Sequence, residues 1–169
     1  GISIREVERA IVRYGEPGKR SNVFRIRKKK KAMIFGSGLF PLFLAGELEK
    51  KMYPATIYCQ EKDYETYIAA AAPKLSESDR RNEAKRLSSM DLSFEFGCSL
   101  DLPFIREKIK EADVICASEE VAKKLAPEEA ADAEIMLREQ AGIVSGPAHS
   151  VMDAAFAAKR AALTVDLLV

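Results

Sequence analysis

Residues 31–59, KAMIFGSGLFPLFLAGELEKKMYPATIYC, decide the fold. Met33, Ile34 and Phe35 make a short apolar strand that runs into Gly36-Ser37-Gly38. The apolar spacing through Leu42, Ala45 and Leu48 predicts a helix that ends near Glu49, and Ala55 to Tyr58 predicts a second strand. Strand, glycine turn, helix and strand form the opening of a dinucleotide-binding βαβ unit. In such units the glycines turn the chain and the helix N-terminus faces a pyrophosphate. Two defining positions depart from that pattern. The third glycine of G-x-G-x-x-G is Pro41, and the acid expected at the end of the second strand is Cys59. Proline is tolerated in a helix's first turn, but the glycine it replaces allows close helix–strand packing. Phe40 adds bulk where a pyrophosphate needs room. Cys59 offers no carboxylate to a ribose, and Glu61, two residues on, substitutes only if the loop bends back.

Upstream of this stretch, Ile4, Val7, Ile11 and Tyr14 share one face of an expected helix over residues 3–14, with Ser3 and Glu6 at capping-box spacing. Gly15 and Pro17-Gly18 end it. A polar linker then leads to a basic run, Arg25 to Lys31, read as a solvated linker, or else as a docking patch for an acidic partner or a phosphate. Downstream, Ile68 to Ala72 is a small-residue stretch ending at Pro73, and residues 76–89 form a charged amphipathic helix with Ala84 and Leu87 inward. Leu92, Phe94 and Phe96 alternate with polar residues as a third strand, and Asp101 caps a helix from Pro103 to Lys110. Val114 to Ala117 is a fourth strand. Helices follow over 119–125 and 127–140, then a fifth strand at Ile143-Val144, the turn Gly146-Pro147 and a closing helix from about Val151. Alternating strands and helices imply a parallel sheet with helices on both faces. The expected fold is a Rossmann-like, three-layer α/β sandwich of about five mainly parallel strands over residues 31–169, preceded by a linker helix and basic linker over 1–30.

Composition sets outer bounds. At 169 residues, 47% apolar and 31% charged, the chain reads as one globular domain with length enough to bury a core. A net charge of +1 offers nothing to draw nucleic acid or an anionic membrane. No apolar run approaches the roughly 20 residues that span a bilayer, and no secretory apolar segment opens the sequence. Three widely spaced cysteines, Cys59, Cys98 and Cys116, with no C-x-x-C, make a reducing cytoplasm the expectation.

The segments ISIREVERAIVRYG, KKAMIFGSG and AGELEKKMYPATIY resemble the flavin domain of the glutamate synthase small-chain family of NADPH-dependent oxidoreductases, the wider group that includes dihydropyrimidine dehydrogenase. The resemblance continues through KLSESDRRNEAKRLSSMDLSFEF and LPFIREKIKEADVICAS and returns at AGIVSGPAHSVMDAAFAAKRAALTVDLLV, so it covers nearly all of the chain except 119–140. It implies an FAD/NAD(P)-binding domain. It also sets out what is missing. The family's inserted NADPH-binding domain falls between Ala117 and Gly142, an interval too short here for a second dinucleotide fold. The glycine-rich segment that approaches the flavin appears as DYETYIAAAAPKL, and the Gly-Asp pair of the closing turn appears as Gly146-Pro147.

The expected function is therefore a degenerate FAD/NAD(P)-binding-like domain, a non-catalytic partner or scaffold in a redox assembly. The alternative is an FAD- or nucleotide-binding electron-transfer subunit. Cofactor-binding candidates are Gly36, Ser37, Gly38, Glu61 and Gly146; no catalytic or metal-ligating residue is proposed, and the cofactor is none or FAD. A protein partner or a second copy of the chain is expected, with a nucleotide as a further ligand. His149 reads as a turn residue or polar cap, because no nucleophile or paired carboxylate accompanies it. The cysteines read as small buried hydrophobes, with a redox pair or metal site as the alternative. Tyr53, Tyr58, Tyr64 and Tyr67 cluster around the second strand as packing residues or an aromatic platform.

Overall fold

A computed structural model describes residues 27–90, 92–118, 120–122 and 151–168. Its elements in order are β1 (Ala32–Phe35), α1 (Leu39–Lys50), β2 (Ala55–Tyr58), α2 (Tyr64–Ala71), α3 (Glu77–Ser88), β3 (Ser93–Glu95), α4 (Leu102–Ile109), β4 (Val114–Ala117) and α5 (Val151–Leu168). The strands form one sheet in the order β3-β2-β1-β4, and every pairing is parallel. Ile34 stands between Ile57 on β2 and Cys116 on β4. This α/β arrangement is compatible with a Rossmann-like layout. The expected fifth strand at Ile143-Val144, the helices over 3–14 and 127–140, Gly146 and His149 lie outside the described residues.

Period-two alternation along β1 divides its side chains between two cores. Ile34 joins Ile57, Cys59, Val114 and Cys116 under α1, α2, α3 and α5, with Leu44, Leu48, Tyr67, Leu87 and Val165 in the same cluster. Met33 and Phe35 join Tyr58, Ile115 and Ala117 on the other face, beneath Leu100, Ile105 and Val121. Helical cover on both faces explains why β1 and β4 are buried at every position, as continuous apolar runs in a parallel sheet must be. β3 is a short edge strand, exposed at Ser93 and Glu95, which suits an edge that must not recruit another strand.

The closing helix owes its position to small residues. Ala154, Ala158, Ala161, Ala162 and Val165 are buried, and α5 packs along α1 in the core that contains Ile34. Alanine at these sites lets the two backbones approach closely. Among the described residues no helix is long and apolar enough to cross a membrane.

One element went unread in the sequence. Residues 64–71 are helical, where the Ile68–Ala72 stretch suggested only a run of small residues. Their start is a reciprocal cap in which Asp63 Oδ1 accepts the Thr66 N–H at 2.8 Å and Thr66 Oγ1 accepts the Asp63 N–H at 3.2 Å. Asp101 caps α4 as expected, accepting the Phe104 N–H at 3.0 Å, with Pro103 in the first turn.

Candidate functional site

In an open parallel sheet, ligands bind beyond the carboxyl ends of the strands where the strand order reverses. Here β2 and β3 lie on one side of β1 and β4 on the other, so that point falls between the ends of β1 and β4. Gly36 and Ser118 occupy it. The Gly36 N–H donates to the Tyr58 carbonyl at 3.0 Å, and the Ser118 N–H donates to the Phe35 carbonyl at 2.8 Å. The glycine turn is thus fixed to both neighbouring strands before it reaches the helix.

The two glycines have different reasons to be glycine. Gly36 has φ +122° and is buried against Ser118; a Cβ there would stand 2.2 Å from Ser118 Oγ and 2.6 Å from Ser118 Cβ. Its missing side chain is required by packing. Gly38, the N-cap of α1, has φ +102°, and a Cβ there would meet nothing within 4 Å. Its missing side chain leaves open space at the helix N-terminus, the place where a phosphate approaches backbone in dinucleotide-binding units. No side chain caps α1, and its first turn holds no acid. The positive end of the helix dipole therefore faces that opening without a protein carboxylate of its own turn.

Tyr67, fully buried on α2, donates its hydroxyl to the Gly38 carbonyl at 2.9 Å. Because a trans peptide sets C=O and N–H on opposite sides, this bond turns the Leu39 N–H away from Tyr67. Burial also raises the Tyr67 hydroxyl far above its ordinary range, with Cys59 and Glu61 adding to it, so the group is a permanent donor. Pro41, the third residue of α1, is buried and contributes no N–H. Phe40 is half-buried and packs against the core rather than standing free in the opening.

Glu61 does bend back. Ser37 Oγ donates to Glu61 Oε2 at 2.6 Å, which brings a carboxylate to the turn despite Cys59. The loop is held in that course by the Gly97 N–H, which donates to the Glu61 carbonyl at 2.8 Å. The Cys59 thiol lies beside Glu61; burial first, and then this carboxylate, pushes it up to about 12. Gly36, Ser37, Gly38 and Glu61 therefore meet at one place, while Gly146 falls outside the described residues. Sequence reasoning missed Ser118 and read Tyr67 as a packing residue or part of an aromatic platform, not as a partner of the turn. Neither carries a motif signal, because each reaches the turn from a distant element.

The tyrosines form no single platform. Tyr64 and Tyr67 stack edge-on with Phe94, with ring centres 5.1 and 5.4 Å apart, whereas Tyr58 packs with Phe35 and Phe104 on the opposite face of the sheet. Among the described residues no cluster of three or more His, Cys, Asp or Glu side chains is arranged to hold a metal ion. A groove of about 500 Å³ opens near the amino ends of the strands, lined among others by Arg27, Lys31, Glu49 and Glu111. Its mixture of two cations and two carboxylates gives it no bias toward a phosphate. No protein-family model matches the chain, and no curated protein matches it significantly.

Proposed function

We propose that this chain is a reduced FAD/NAD(P)-binding-type domain, Rossmann-like and related to the flavin domain of glutamate synthase small-chain oxidoreductases. It works without catalysis of its own, as a partner or scaffold in a redox assembly, and keeps a weak site for the ribose–diphosphate part of a nucleotide. The observation that carries this reading is the Ser37–Glu61 contact at 2.6 Å beside the open Gly38 turn. It sets a carboxylate for ribose hydroxyls next to backbone N–H groups for a diphosphate. Pro41 removes one donor from that set, and the Gly146-Pro147 sequence lacks the acid that the family resemblance leads one to expect near a flavin. Affinity should be correspondingly low.

Calorimetric titration with ADP and with FAD tests the proposal. ADP should bind with a dissociation constant between roughly ten micromolar and one millimolar, some 7–4 kcal/mol of binding free energy. Glu61→Gln should weaken it by roughly tenfold or more, since a hydrogen bond to a charged group is worth about 1.5–3 kcal/mol. Absence of ADP binding, or equal binding by Glu61→Gln, removes the nucleotide site. The electron-transfer alternative is favoured by one observation, the space left open at Gly38. It predicts yellow protein with stoichiometric flavin, which the first reading does not.

A further inference from the structure

Cys59 follows β2 and Cys98 lies in the loop after β3, and the two are side by side. The Cys98 N–H donates to the Cys59 carbonyl at 2.9 Å. Both thiols donate to one oxygen, the Glu95 carbonyl, at 3.7 Å from the Cys59 sulfur and 3.3 Å from the Cys98 sulfur. Cys59 is wholly buried, Cys98 is partly open to solvent, and Cys116 is buried on β4. Neighbouring strands run about 4.8 Å apart, and a disulfide spans α-carbons about 4.4–6.8 Å apart. The two cysteines are joined by a backbone hydrogen bond and their sulfurs share one acceptor, with Cys59 in the core beside Ile34 and Cys98 at the margin of the core beside Phe35, so the bridge would close around the end of the sheet.

We propose that Cys98 and Cys59 are a disulfide-forming pair, with Cys98 as the entry thiol toward a low-molecular-weight disulfide and Cys59 as the resolving thiol. The Cys98 thiolate attacks one sulfur of the small disulfide, forming a mixed disulfide and releasing one small thiol. The Cys59 sulfur then attacks Cys98, the internal S–S bond forms, and the second small thiol leaves. Two electrons pass to the oxidant, and the two cysteine protons end on the released thiols. The bridge joins the ends of β2 and β3 at the seam where Gly97 holds the Glu61 loop. Burial, followed by Glu95, raises the Cys98 thiol as well, so thiolate is scarce at neutral pH and the exchange is slow. The pairing does not depend on the nucleotide reading.

The test is incubation of the folded chain with oxidised glutathione at mildly alkaline pH, followed by acid quench, mass measurement and peptide mapping. The expected product has lost two of its three thiols, carries a Cys59–Cys98 cross-linked peptide and keeps Cys116 free. Cys59→Ser should stop at a glutathione adduct on Cys98, and Cys98→Ser should keep both remaining thiols. A wild-type chain that accumulates only the Cys98 adduct, or keeps all three thiols where the unfolded chain is oxidised, overturns the proposal.

Discussion

Gly36→Ala and Gly38→Ala make the most informative pair of substitutions, because they separate backbone strain from packing within one turn. Both glycines have positive φ, +122° and +102°, so an added Cβ costs about 1–3 kcal/mol of strain at either site. Only at Gly36 does the Cβ also collide with a neighbour, and the nearer obstacles are Ser118 Oγ at 2.2 Å and Ser118 Cβ at 2.6 Å. A Cβ cannot swing aside as the end of a long side chain can. Overpacking of this kind adds about 1–3 kcal/mol. Gly36→Ala should therefore cost about 2–6 kcal/mol and lower the melting midpoint on the order of 10 °C, with Gly38→Ala losing roughly half as much.

The double variant Gly36→Ala/Ser118→Gly isolates the packing part. Removing the Ser118 side chain should restore about 1–3 kcal/mol to Gly36→Ala as a coupling energy in a double-mutant cycle, leaving the strain. Ser118→Gly alone should be mildly destabilising, since its hydroxyl accepts the Val121 N–H at a long 3.5 Å. Thermal melts and urea titrations of the four proteins measure the cycle. Equal losses for Gly36→Ala and Gly38→Ala, or no recovery in the double variant, would refute the assignment of Gly36 to a packing role.

Two further expectations concern the scaffold. The Asp63 carboxyl is held below the usual carboxylate range by the Thr66 N–H, so its cap stabilises α2 above about pH 4 and fades as pH falls through the lowered native value. Asp63→Ala should therefore melt below wild type at pH 7 and converge with it in stronger acid, and a gap unchanged between pH 7 and pH 2 would contradict this. At the α1–α5 contact, Ala158→Leu should cost about 1–3 kcal/mol by urea unfolding, whereas Leu163→Gln on the exposed side of the same helix should stay within about 0.5 kcal/mol.

The sequence was most legible where an apolar run was short and bounded by turn residues. Ala55–Tyr58 and Val114–Ala117 stand as strands at the positions their β-branched and aromatic residues indicated, between Pro54 and Cys59 and between Asp113 and Ser118. The start of α2 was harder to see, because Thr66 closes its capping box in place of the usual Glu or Gln, and the alanines that follow carry no face pattern. Glu61 was legible only as a condition, that its loop bend back. Whether it did so depended on Gly97, a residue of another strand's end that no local pattern ties to it. Ser118 was invisible for the same reason: it meets Gly36 only because β4 lies beside β1 in a crossed-over order.

Pro41 and Cys59, the two departures from the dinucleotide pattern, act on different quantities. The N–H that Pro41 lacks belongs to the first turn of α1, where no carbonyl of the helix would have received it, so the helix forms at no cost in hydrogen bonds. An anion at this helix end would find one donor fewer, with the Leu39 and Phe40 N–H groups also preceding the first helical hydrogen bond. Cys59 keeps the strand end apolar and buried, and the carboxylate that reaches the turn is Glu61, whose Oε2 accepts the Ser37 hydroxyl. A ribose at this site would have to share that carboxylate with Ser37. Each change leaves the contacts that hold the turn in place, from Tyr58, Phe35, Tyr67 and Ser118, while reducing the hydrogen bonds on offer to a ligand. The contacts that hold the turn and the groups that would meet a ligand are therefore different atoms, and a change at Pro41 or Cys59 can alter the second set without disturbing the first.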